Sequence, residues 1–190
     1  MTNHSTPKGA DSSSHDTIII GAGQAGLALG YFLQRQARDF LVLEAAAVPG
    51  AAWLDRWDSL KLFTPARFSG LPGVAFPGDP DGHPSRDEVA AYLRSYAKRF
   101  ELPIAPNNAV LELQQTERGY LARTTRGAFE AGQVVIATGP FQKAFVPAWA
   151  SDLGSEVHQI HAAQYRTPED IPPGRTLVVG GGNTGYQIAE

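Results

Sequence analysis

The chain has 190 residues, enough for one domain or for one domain and part of another. Its residues are 43% hydrophobic and 18% charged, a composition typical of a globular protein with an apolar core. The formal net charge of −3 shows no basic excess, so we expect neither nucleic acid nor an anionic membrane surface as a partner. The lack of cysteine excludes disulfides, cysteine-ligated zinc, iron–sulfur clusters and dithiol redox chemistry within these residues.

Residues 1–15 are polar and rich in serine, and we expect them to form a disordered tail. They include no apolar run of the kind that a secretory signal requires. No later stretch approaches the roughly 18 consecutive apolar residues of a membrane span. We therefore expect a cytoplasmic protein without a membrane span, in keeping with a reducing compartment.

The next segments predict a strand, a helix and a second strand. Residues 17–20 have the continuous apolar character of a parallel strand that is buried on both faces. A helix is predicted from Gly23 to about Gln36, and its buried side is predicted to carry Ala25, Leu29, Phe32 and Leu33. Phe40–Leu43 predicts a second buried strand, which ends at Glu44. Together the three elements form one βαβ unit.

Three glycines join the first strand to the helix in the pattern Gly-x-Gly-x-x-Gly. Gly21 permits a tight turn, Gly23 lets the backbone approach a pyrophosphate, and Gly26 lets the helix pack closely on the strand. The helix N terminus offers N–H groups and the positive end of its dipole to phosphates. Glu44 is placed to accept hydrogen bonds from a ribose diol, which favours FAD or NAD over NADP at this turn. The alternative is an ordinary glycine corner beside a surface glutamate.

The middle of the chain alternates between loop and regular structure. Residues 64–84 contain five prolines and predict a long loop that packs over other residues. Ser85 and Glu88 form the pattern of a capping box at the start of a helix. The buried face of that helix is predicted to carry Val89, Leu93, Tyr96, Ala97 and Phe100. Residues 109–131 predict an antiparallel meander, and residues 133–137 a separate buried strand.

The glycine pattern returns near the end of the sequence. Residues 147–174 are polar, contain four prolines and predict a linker. Leu177–Val179 then lead into a second turn with the same spacing, at Gly180, Gly182 and Gly185. Two such turns, about 160 residues apart, predict two dinucleotides and suit electron transfer from a nicotinamide to a flavin. The alternative for the second turn is an ordinary corner between a strand and a helix.

Six segments, in order and spacing, resemble the flavin-containing monooxygenases, which are related to the Baeyer–Villiger type, and in particular their short bacterial members. The segments are IIIGAGQAG with Glu44, PGAAWLDRWDSLKLFTP, FPGDPDGHPSRDEV, VVIATGPF, HAAQYR and LVVGGGNTG. The resemblance implies an α/β fold with a Rossmann-like FAD-binding domain that contains an inserted antiparallel β-meander. The start of a second Rossmann-like domain, which binds NAD(P)H, would follow. The implied boundaries are 16–150 for the FAD domain, 151–174 for a crossing and 175–190 for the second domain.

The resemblance also implies which residues contact the cofactors. Those expected to contact FAD are Gly21, Gly23, Gln24, Ala25, Gly26, Glu44, Ala45, Trp53, Arg56, Leu62, Thr64 and Val110. The crossing between the domains would be marked by Ala137, Thr138 and Gly139. The pyrophosphate of NAD(P)H would bind at Gly180, Gly182, Asn183, Thr184 and Gly185. For Trp53, an ordinary role in the core is the alternative.

The sequence departs from the family pattern at three places. Ala51 and Ala52 precede Trp53 where the family often has a second glycine, and Val157 stands four residues before His161 where a glycine is usual. Phe63-Thr64 replaces the asparagine that many members place near the flavin. We therefore assign no catalytic side chain. The five histidines lack the spacing of a metal site, so no metal is expected.

The resemblance implies a monooxygenase that takes electrons from NAD(P)H and uses O2 to oxidise small organic molecules through a flavin hydroperoxide. The reactions would be sulfoxidation, N-oxidation or Baeyer–Villiger oxidation. A dithiol–flavin reductase is excluded by the lack of cysteine. The other alternative is a non-catalytic nucleotide-binding fragment, because the sequence ends at Glu190 within the helix that follows the second turn. The choice between NADH and NADPH stays open. The oligomeric state also stays open, and a homodimer is one of the options.

Overall fold

The computed structural model describes residues 13–190, so most of the predicted tail lies outside the described residues. Strand β1, Ser13–Ile20, begins before the predicted end of that tail. It does so because residues 13–15 pair with residues 129–131 of a neighbouring parallel strand. The chain forms two compact units. The first comprises the described part of Met1–Pro49 together with Ala97–Thr138, and the second comprises Gly50–Tyr96 together with Gly139–Glu190.

The first unit contains the predicted βαβ arrangement. Strand β1 leads into helix α1, Gln24–Arg35, and then into strand β2, Phe40–Leu43. Strands β1 and β2 are parallel, and Thr17 is in register with Phe40. The short strand β3, Ile104–Ala105, pairs in parallel with the other edge of β2. The sequence-based prediction of strand, helix and strand is therefore confirmed.

The predicted meander forms the other half of the same sheet. It consists of β4, Val110–Thr116, β5, Gly119–Thr124, and β6, Gly127–Ile136. Strand β6 pairs antiparallel with β5 and parallel with β1, so the six-stranded sheet has the order β3-β2-β1-β6-β5-β4. The fold class is the predicted one, an α/β fold with an inserted meander.

Residues 133–136 form a strand, as predicted for 133–137, but the prediction that this strand is separate and buried is wrong. These residues continue β6 without a break, because the strand runs through Gly132. They are also not buried, since Val135 is 37% exposed and Ile136 is 69% exposed. Strand β5 pairs with β6 only as far as Ala131, and within residues 13–190 the rest of β6 pairs with β1 alone.

The predicted buried face of α1 is also wrong. The helix buries its glycine side instead, at Gly26, Leu27, Gly30 and Tyr31. Of the predicted face residues, Phe32 is 48% exposed and Ala25 is exposed. A Cβ atom on Gly30 would lie only 3.2 Å from the ring of Phe40, which shows how closely the helix approaches the sheet. A pattern of large apolar side chains misses this face because two of its residues have no side chain.

The second unit contains helix α2, Ala51–Leu54, most of helix α3, Arg86–Arg99, and the terminal helix α4, Asn183–Ala189. The predicted capping box is present, because Ser85 N–H donates to the Glu88 carboxylate at 2.8 Å and Glu88 N–H donates to Ser85 Oγ at 3.3 Å. The pKa of Glu88 is lowered chiefly by its hydrogen bond from Ser85 N–H. The predicted face of α3 is confirmed by the burial of Val89, Leu93, Tyr96 and Ala97.

A second cluster of buried side chains includes part of the predicted linker. Trp57, Leu60 and Tyr165 form this cluster, which we call the Trp57 cluster. The linker therefore packs as part of the second unit at Tyr165 rather than crossing open solvent. Leu177–Val179, which precede the second glycine turn, form no strand in the described part of the chain and are exposed. Among the described helices, none is both long and apolar enough to cross a bilayer.

The proline-rich loop is fixed to α3 by a buried phenol. Leu71 N–H donates to the hydroxyl of Tyr92 at 2.6 Å, and that hydroxyl donates to the carbonyl of Val74 at 2.7 Å. Burial raises the pKa of Tyr92, although the Leu71 N–H group acts in the opposite direction. The phenol bridges the two ends of the tight turn between Leu71 and Val74 and ties this part of the proline-rich loop to α3.

We predict that Tyr92→Phe lowers the free energy of unfolding by about 1–3 kcal/mol, because it removes the side-chain partner of two part-buried backbone groups, Leu71 N–H and the Val74 carbonyl. Denaturant unfolding of both proteins measures the difference. The control is Tyr186→Phe, which removes a hydroxyl from a side chain that is 69% exposed and should change stability by less than about 0.5 kcal/mol. Equal effects of the two substitutions would contradict the bridging role.

Candidate functional site

The first glycine turn lies where three strands of the first unit end. Gly21 N–H donates to the carbonyl of Leu43 at the end of β2, at 2.8 Å. Ala137 N–H, just beyond β6, donates to the carbonyl of Ile20 at 2.8 Å. Gly21 has a φ of +108°, and a Cβ atom there would lie 2.6 Å from the carbonyl oxygen of Ala137. Only glycine satisfies both the backbone angle and this close approach.

The two other glycines of the turn differ in their surroundings. A Cβ atom on Gly26 would collide with the carbonyl oxygen of Gly21, so α1 packs against the turn at the closest possible approach. At Gly23, by contrast, no atom of residues 13–190 lies within 4 Å of the position that a Cβ would occupy. The backbone of Gly23 is therefore bare on a side that the protein leaves open. An open, bare backbone is what a bulky ligand such as a pyrophosphate needs for close contact.

The N terminus of α1 provides the charge for such a ligand. Gly23 is the N-cap, no side chain caps the helix, and no acidic residue lies in its first turn. The first N–H groups of an α-helix have no acceptor within the helix, and they carry the positive end of its dipole. The predicted contacts Gln24 and Ala25 lie in this turn and are exposed. The arrangement suits an anion.

Glu44, which the sequence predicts to bind a ribose, lies against the turn. One oxygen of its carboxylate accepts the N–H of Ala22 at 2.7 Å, and the other accepts the N–H of Ala46 at 2.8 Å. These two bonds fix the carboxylate beside the backbone of the glycine turn. A carboxylate can accept about four hydrogen bonds, so two more remain for hydroxyl groups such as those of a ribose. Ala45, between Glu44 and Ala46, is exposed.

Asn108, which the sequence analysis did not single out, forms a hydrogen bond with the backbone of Glu44. Asn108 N–H donates to the carbonyl of Glu44 at 2.8 Å, and its side chain accepts the hydroxyl of Thr124 at 3.0 Å. Both polar side chains are buried. Val110, a predicted FAD contact, follows two residues later as the first residue of β4. The pair Asn107-Asn108 between two strands is a turn signal that could have indicated this role.

The second glycine turn repeats the geometry of the first within the second unit. Gly180 has a φ of +117°, and Gly182 is the N-cap of α4 with a φ of −86°, against −83° for Gly23. A Cβ atom on Gly185 would collide with the carbonyl oxygen of Gly180, as one on Gly26 would with that of Gly21. Gly182, like Gly23, has no atom within 4 Å of its Cβ position. Asn183 and Thr184 begin α4 and are exposed.

The other predicted site residues of the second unit have defined protein contacts. Trp53 packs against the Trp57 cluster, which agrees with the alternative of a core aromatic residue. The guanidinium of Arg56 lies over the ring of Phe141, 4.8 Å from its centroid. Leu62 N–H donates to the carbonyl of Pro84 at 2.8 Å, and Thr64 Oγ1 lies 3.2 Å from the hydroxyl of Ser69. Beyond β6, Thr138 and Gly139 are exposed.

Arg86 is a second residue that the sequence analysis missed. Its guanidinium pairs with Asp58 at 2.7 Å and donates to the backbone carbonyl of Arg56. The side chain is only 15% exposed. Asp58 neutralises the charge of Arg86. The bonds of Arg86 to Asp58 and to the Arg56 carbonyl join α3 to the segment that carries Arg56 and Trp57. Its position at the first residue of α3 indicated a helix start and gave no sign of this bond.

The residues of the glycine turn line neither of two cavities in the first unit. One cavity, of about 680 Å³, lies beside His15 and Asp39, where the His15 hydrogen bond lowers the pKa of Asp39. The other, of about 410 Å³, lies beside Tyr31 and Phe100. The candidate site is therefore a backbone surface at the ends of β1 and β2, which is the usual position of nucleotide sites in α/β sheets.

Comparison with known proteins agrees with this geometry. Residues 18–190 match the family model described as pyridine nucleotide-disulphide oxidoreductase. An uncharacterized CzcO-like oxidoreductase of Geobacillus kaustophilus is 47% identical over 174 residues, which cover 92% of this chain and 50% of the relative. The chain thus spans about half the length of the curated relatives that it matches.

The chain is also similar to solved structures of monooxygenases. A flavin-containing monooxygenase from Stenotrophomonas maltophilia has a TM-score of 0.86 and 36% identity, over 93% of this chain and 54% of that one. An oxidized steroid monooxygenase bound to NADP has a TM-score of 0.63 and 26% identity, over 72% of this chain and 28% of that one.

We predict that Gly26→Ala lowers the free energy of unfolding by about 1–3 kcal/mol or more, since the added methyl group must displace the turn at Gly21. Gly23→Ala is the matched control, because its methyl group would meet no protein atom and its φ of −83° is accessible to alanine. It should change stability by less than about 0.5 kcal/mol. Thermal or denaturant unfolding measures both, and equal losses would contradict the packing described for the turn.

Proposed function

Because the chain belongs to the pyridine nucleotide-disulphide oxidoreductase family, we propose that its protein is an FAD-dependent monooxygenase which oxidises small organic molecules with NAD(P)H and O2. The observation that carries the proposal is the presence of two glycine turns of the same geometry, each with a bare, open glycine at the start of a helix. Two dinucleotides on one polypeptide suit electron transfer from a nicotinamide to a flavin. The likeness to a flavin-containing monooxygenase at 36% identity supports the same class.

The first turn is the proposed FAD site. Its residues fit the cofactor because Gly23 is open, the N terminus of α1 has no side-chain cap, and Glu44 keeps acceptor capacity beside the turn. In this proposal the turn binds the pyrophosphate and Glu44 binds the adenosine ribose. The predicted contacts Trp53, Arg56, Leu62 and Thr64 remain proposals for FAD, as does Val110. Hydride acceptance and O2 activation are the chemistry of the bound flavin, so the protein contributes binding and orientation.

The second turn is the proposed NAD(P)H site. Support comes from its likeness to the first turn and from the structural neighbour that is bound to NADP. Gly180, Gly182 and Gly185 would place the pyrophosphate, and the first residues of α4 would donate to it. The proposed domain boundaries follow from this assignment, with FAD at 16–150, a crossing at 151–174 and the nicotinamide domain from 175.

The finer reaction is proposed as oxygenation of a soft nucleophile, such as a sulfide or an amine, or insertion of oxygen beside a ketone. We assign no catalytic side chain, because the proposed chemistry belongs to the cofactor. Cytoplasmic location remains a proposal that rests on the lack of cysteine in this chain. A nucleotide-binding chain with no turnover of its own is the competing function, and the assay below separates the two.

The proposal is tested on the purified protein by its visible flavin spectrum, by flavin reduction with NADH and NADPH separately, and by O2 uptake with a sulfide and a cyclic ketone. A monooxygenase shows a bound flavin, reduction by at least one nicotinamide and substrate-dependent O2 uptake. Bound flavin with no reduction by either nucleotide would favour the competing function. Purified protein that binds no FAD would exclude both the monooxygenase and a flavin-binding chain without turnover.

We further predict that Gly23→Ala keeps its fold and weakens FAD binding at least about tenfold, which corresponds to about 1.4 kcal/mol. The reason is that its methyl group would occupy the space proposed for the pyrophosphate. Gly182→Ala is the paired variant for the second turn and should retain FAD while raising the KM for the nicotinamide nucleotide by a similar factor. Flavin titration and steady-state kinetics measure the two effects, and normal FAD affinity in Gly23→Ala would contradict the proposed site.

A further inference from the structure

One hydrogen bond joins the helix of the second glycine turn to a distant part of the sequence. The side-chain amide nitrogen of Gln187, in α4, donates to the backbone carbonyl of Lys61 at 2.9 Å. The two residues are 126 positions apart, and both belong to the second unit. Next to Gln187, the side chain of Ile188 packs against the Trp57 cluster. Helix α4 is thus attached to residues 57–62, which we call the 57–62 segment, by one polar and one apolar contact.

The 57–62 segment also forms hydrogen bonds with other parts of the second unit. Asp58 N–H donates to the carbonyl of Arg166 at 2.9 Å, and the carbonyl of Leu60 accepts the N–H of Arg86 at 3.1 Å. Leu62 N–H donates to the carbonyl of Pro84 at 2.8 Å. Backbone bonds therefore fix the segment on both sides of Lys61. The bond from Gln187 adds a contact from α4 to this segment at Lys61.

The side-chain amide of Gln187 lowers the stability of the fold relative to an apolar side chain that fills the same space. Its oxygen is buried and has no hydrogen-bond partner among the described residues, and the same holds for the indole nitrogen of Trp57. An unpaired buried polar atom reduces stability, whereas an unbranched apolar side chain of similar length would avoid that loss. An amide at this position donates a hydrogen bond to the carbonyl of Lys61, whereas methionine has no donor and could not.

The two ends of the bond lie beside residues of the two proposed cofactor sites. Gln187 is two residues beyond Gly185 in the second turn, and Lys61 immediately precedes Leu62 and Thr64, the proposed flavin contacts. On the basis of the proposed function, we propose that Gln187 is a positioning residue that couples occupancy of the second turn to the order of residues 57–64. Binding of the nicotinamide nucleotide fixes α4, and the Gln187 amide then holds the carbonyl of Lys61 and the flavin-contacting residues that follow it.

Such coupling must be reciprocal, because a free energy shared by two sites is the same in either direction. A protein in which residues 57–64 are held in place would therefore bind the nucleotide more tightly than one in which the Gln187 bond is missing. One hydrogen bond contributes a factor of about five to such an equilibrium. The predicted effect is thus modest, and its signature is the difference between measurements with and without nucleotide.

The experiment compares the FAD-containing protein with Gln187→Met, Gln187→Glu and a control, Gln159→Met. The side-chain amide of Gln159 donates to the carbonyl of Ala150 at 3.0 Å in the same unit, so the control removes an equivalent bond that does not reach the 57–62 segment. Amide hydrogen exchange of residues 57–64 is measured with and without saturating NADP⁺ or NAD⁺. Calorimetric dissociation constants and thermal unfolding midpoints are recorded in parallel.

Nucleotide is expected to slow exchange of residues 57–64 by about fivefold in the unmodified protein and in the control. Both Gln187 variants are expected to lose most of this slowing and to bind nucleotide more weakly by a similar factor. Neither a thioether nor an ionised carboxylate can donate the hydrogen bond. Gln187→Asn, whose amide is one methylene shorter, replaces any variant that fails to fold and should show the same loss.

Three results would overturn the inference. Retained slowing in both Gln187 variants, or an equal rise in exchange with and without nucleotide, would show that the amide is only a packing contact. Retained slowing in Gln187→Glu alone would assign the effect to the acceptor oxygen. In each of these three cases nucleotide binding by the unmodified protein would leave the proposed function intact. If the unmodified protein binds FAD but neither NADP⁺ nor NAD⁺, the proposed second site fails together with this inference.

Discussion

The close approach of α1 to the end of β1 is the constraint on which the first unit depends. A Cβ atom at Gly26 would occupy the space of the Gly21 carbonyl oxygen, so only glycine permits the helix to lie so near. This approach aims the N terminus of the helix past the turn and leaves Gly23 bare on the outer side. The turn thus combines close packing at Gly26 with an open backbone at Gly23.

The hydrogen bonds around the turn keep that geometry in place. The carboxylate of Glu44 accepts N–H groups from both sides, and Asn108 holds the backbone of Glu44 from the next loop. The polar atoms of these residues are thereby satisfied within the protein, which buried polar groups require. A site built in this way needs little rearrangement to receive an anionic ligand, because its charge and its donors are already oriented.

The second unit shows how far a local sequence can specify a structure without its surroundings. The turn at Gly180 has nearly the φ of the turn at Gly21, and Gly185 approaches Gly180 as closely as Gly26 approaches Gly21, although a Cβ atom on Gly180 would meet no atom of the described residues. Yet Leu177–Val179 form no strand in the described part of the chain, whereas residues 17–20 lie at the centre of a sheet. The turn is thus specified by its glycines, while a strand depends on partners that supply its hydrogen bonds.

The sequence by itself determined the βαβ unit, both glycine turns, the capping box of α3 and the placement of Glu44, because each rests on residues close together in the chain or on fixed spacing. Only the tertiary structure decided which side of α1 is buried, that residues 127–136 form one strand, and that Asn108, Arg86 and Gln187 hold distant segments. Those features depend on contacts between residues far apart in the sequence. No local pattern encodes such a contact, because the partner of a polar side chain is set by the packing of the whole unit.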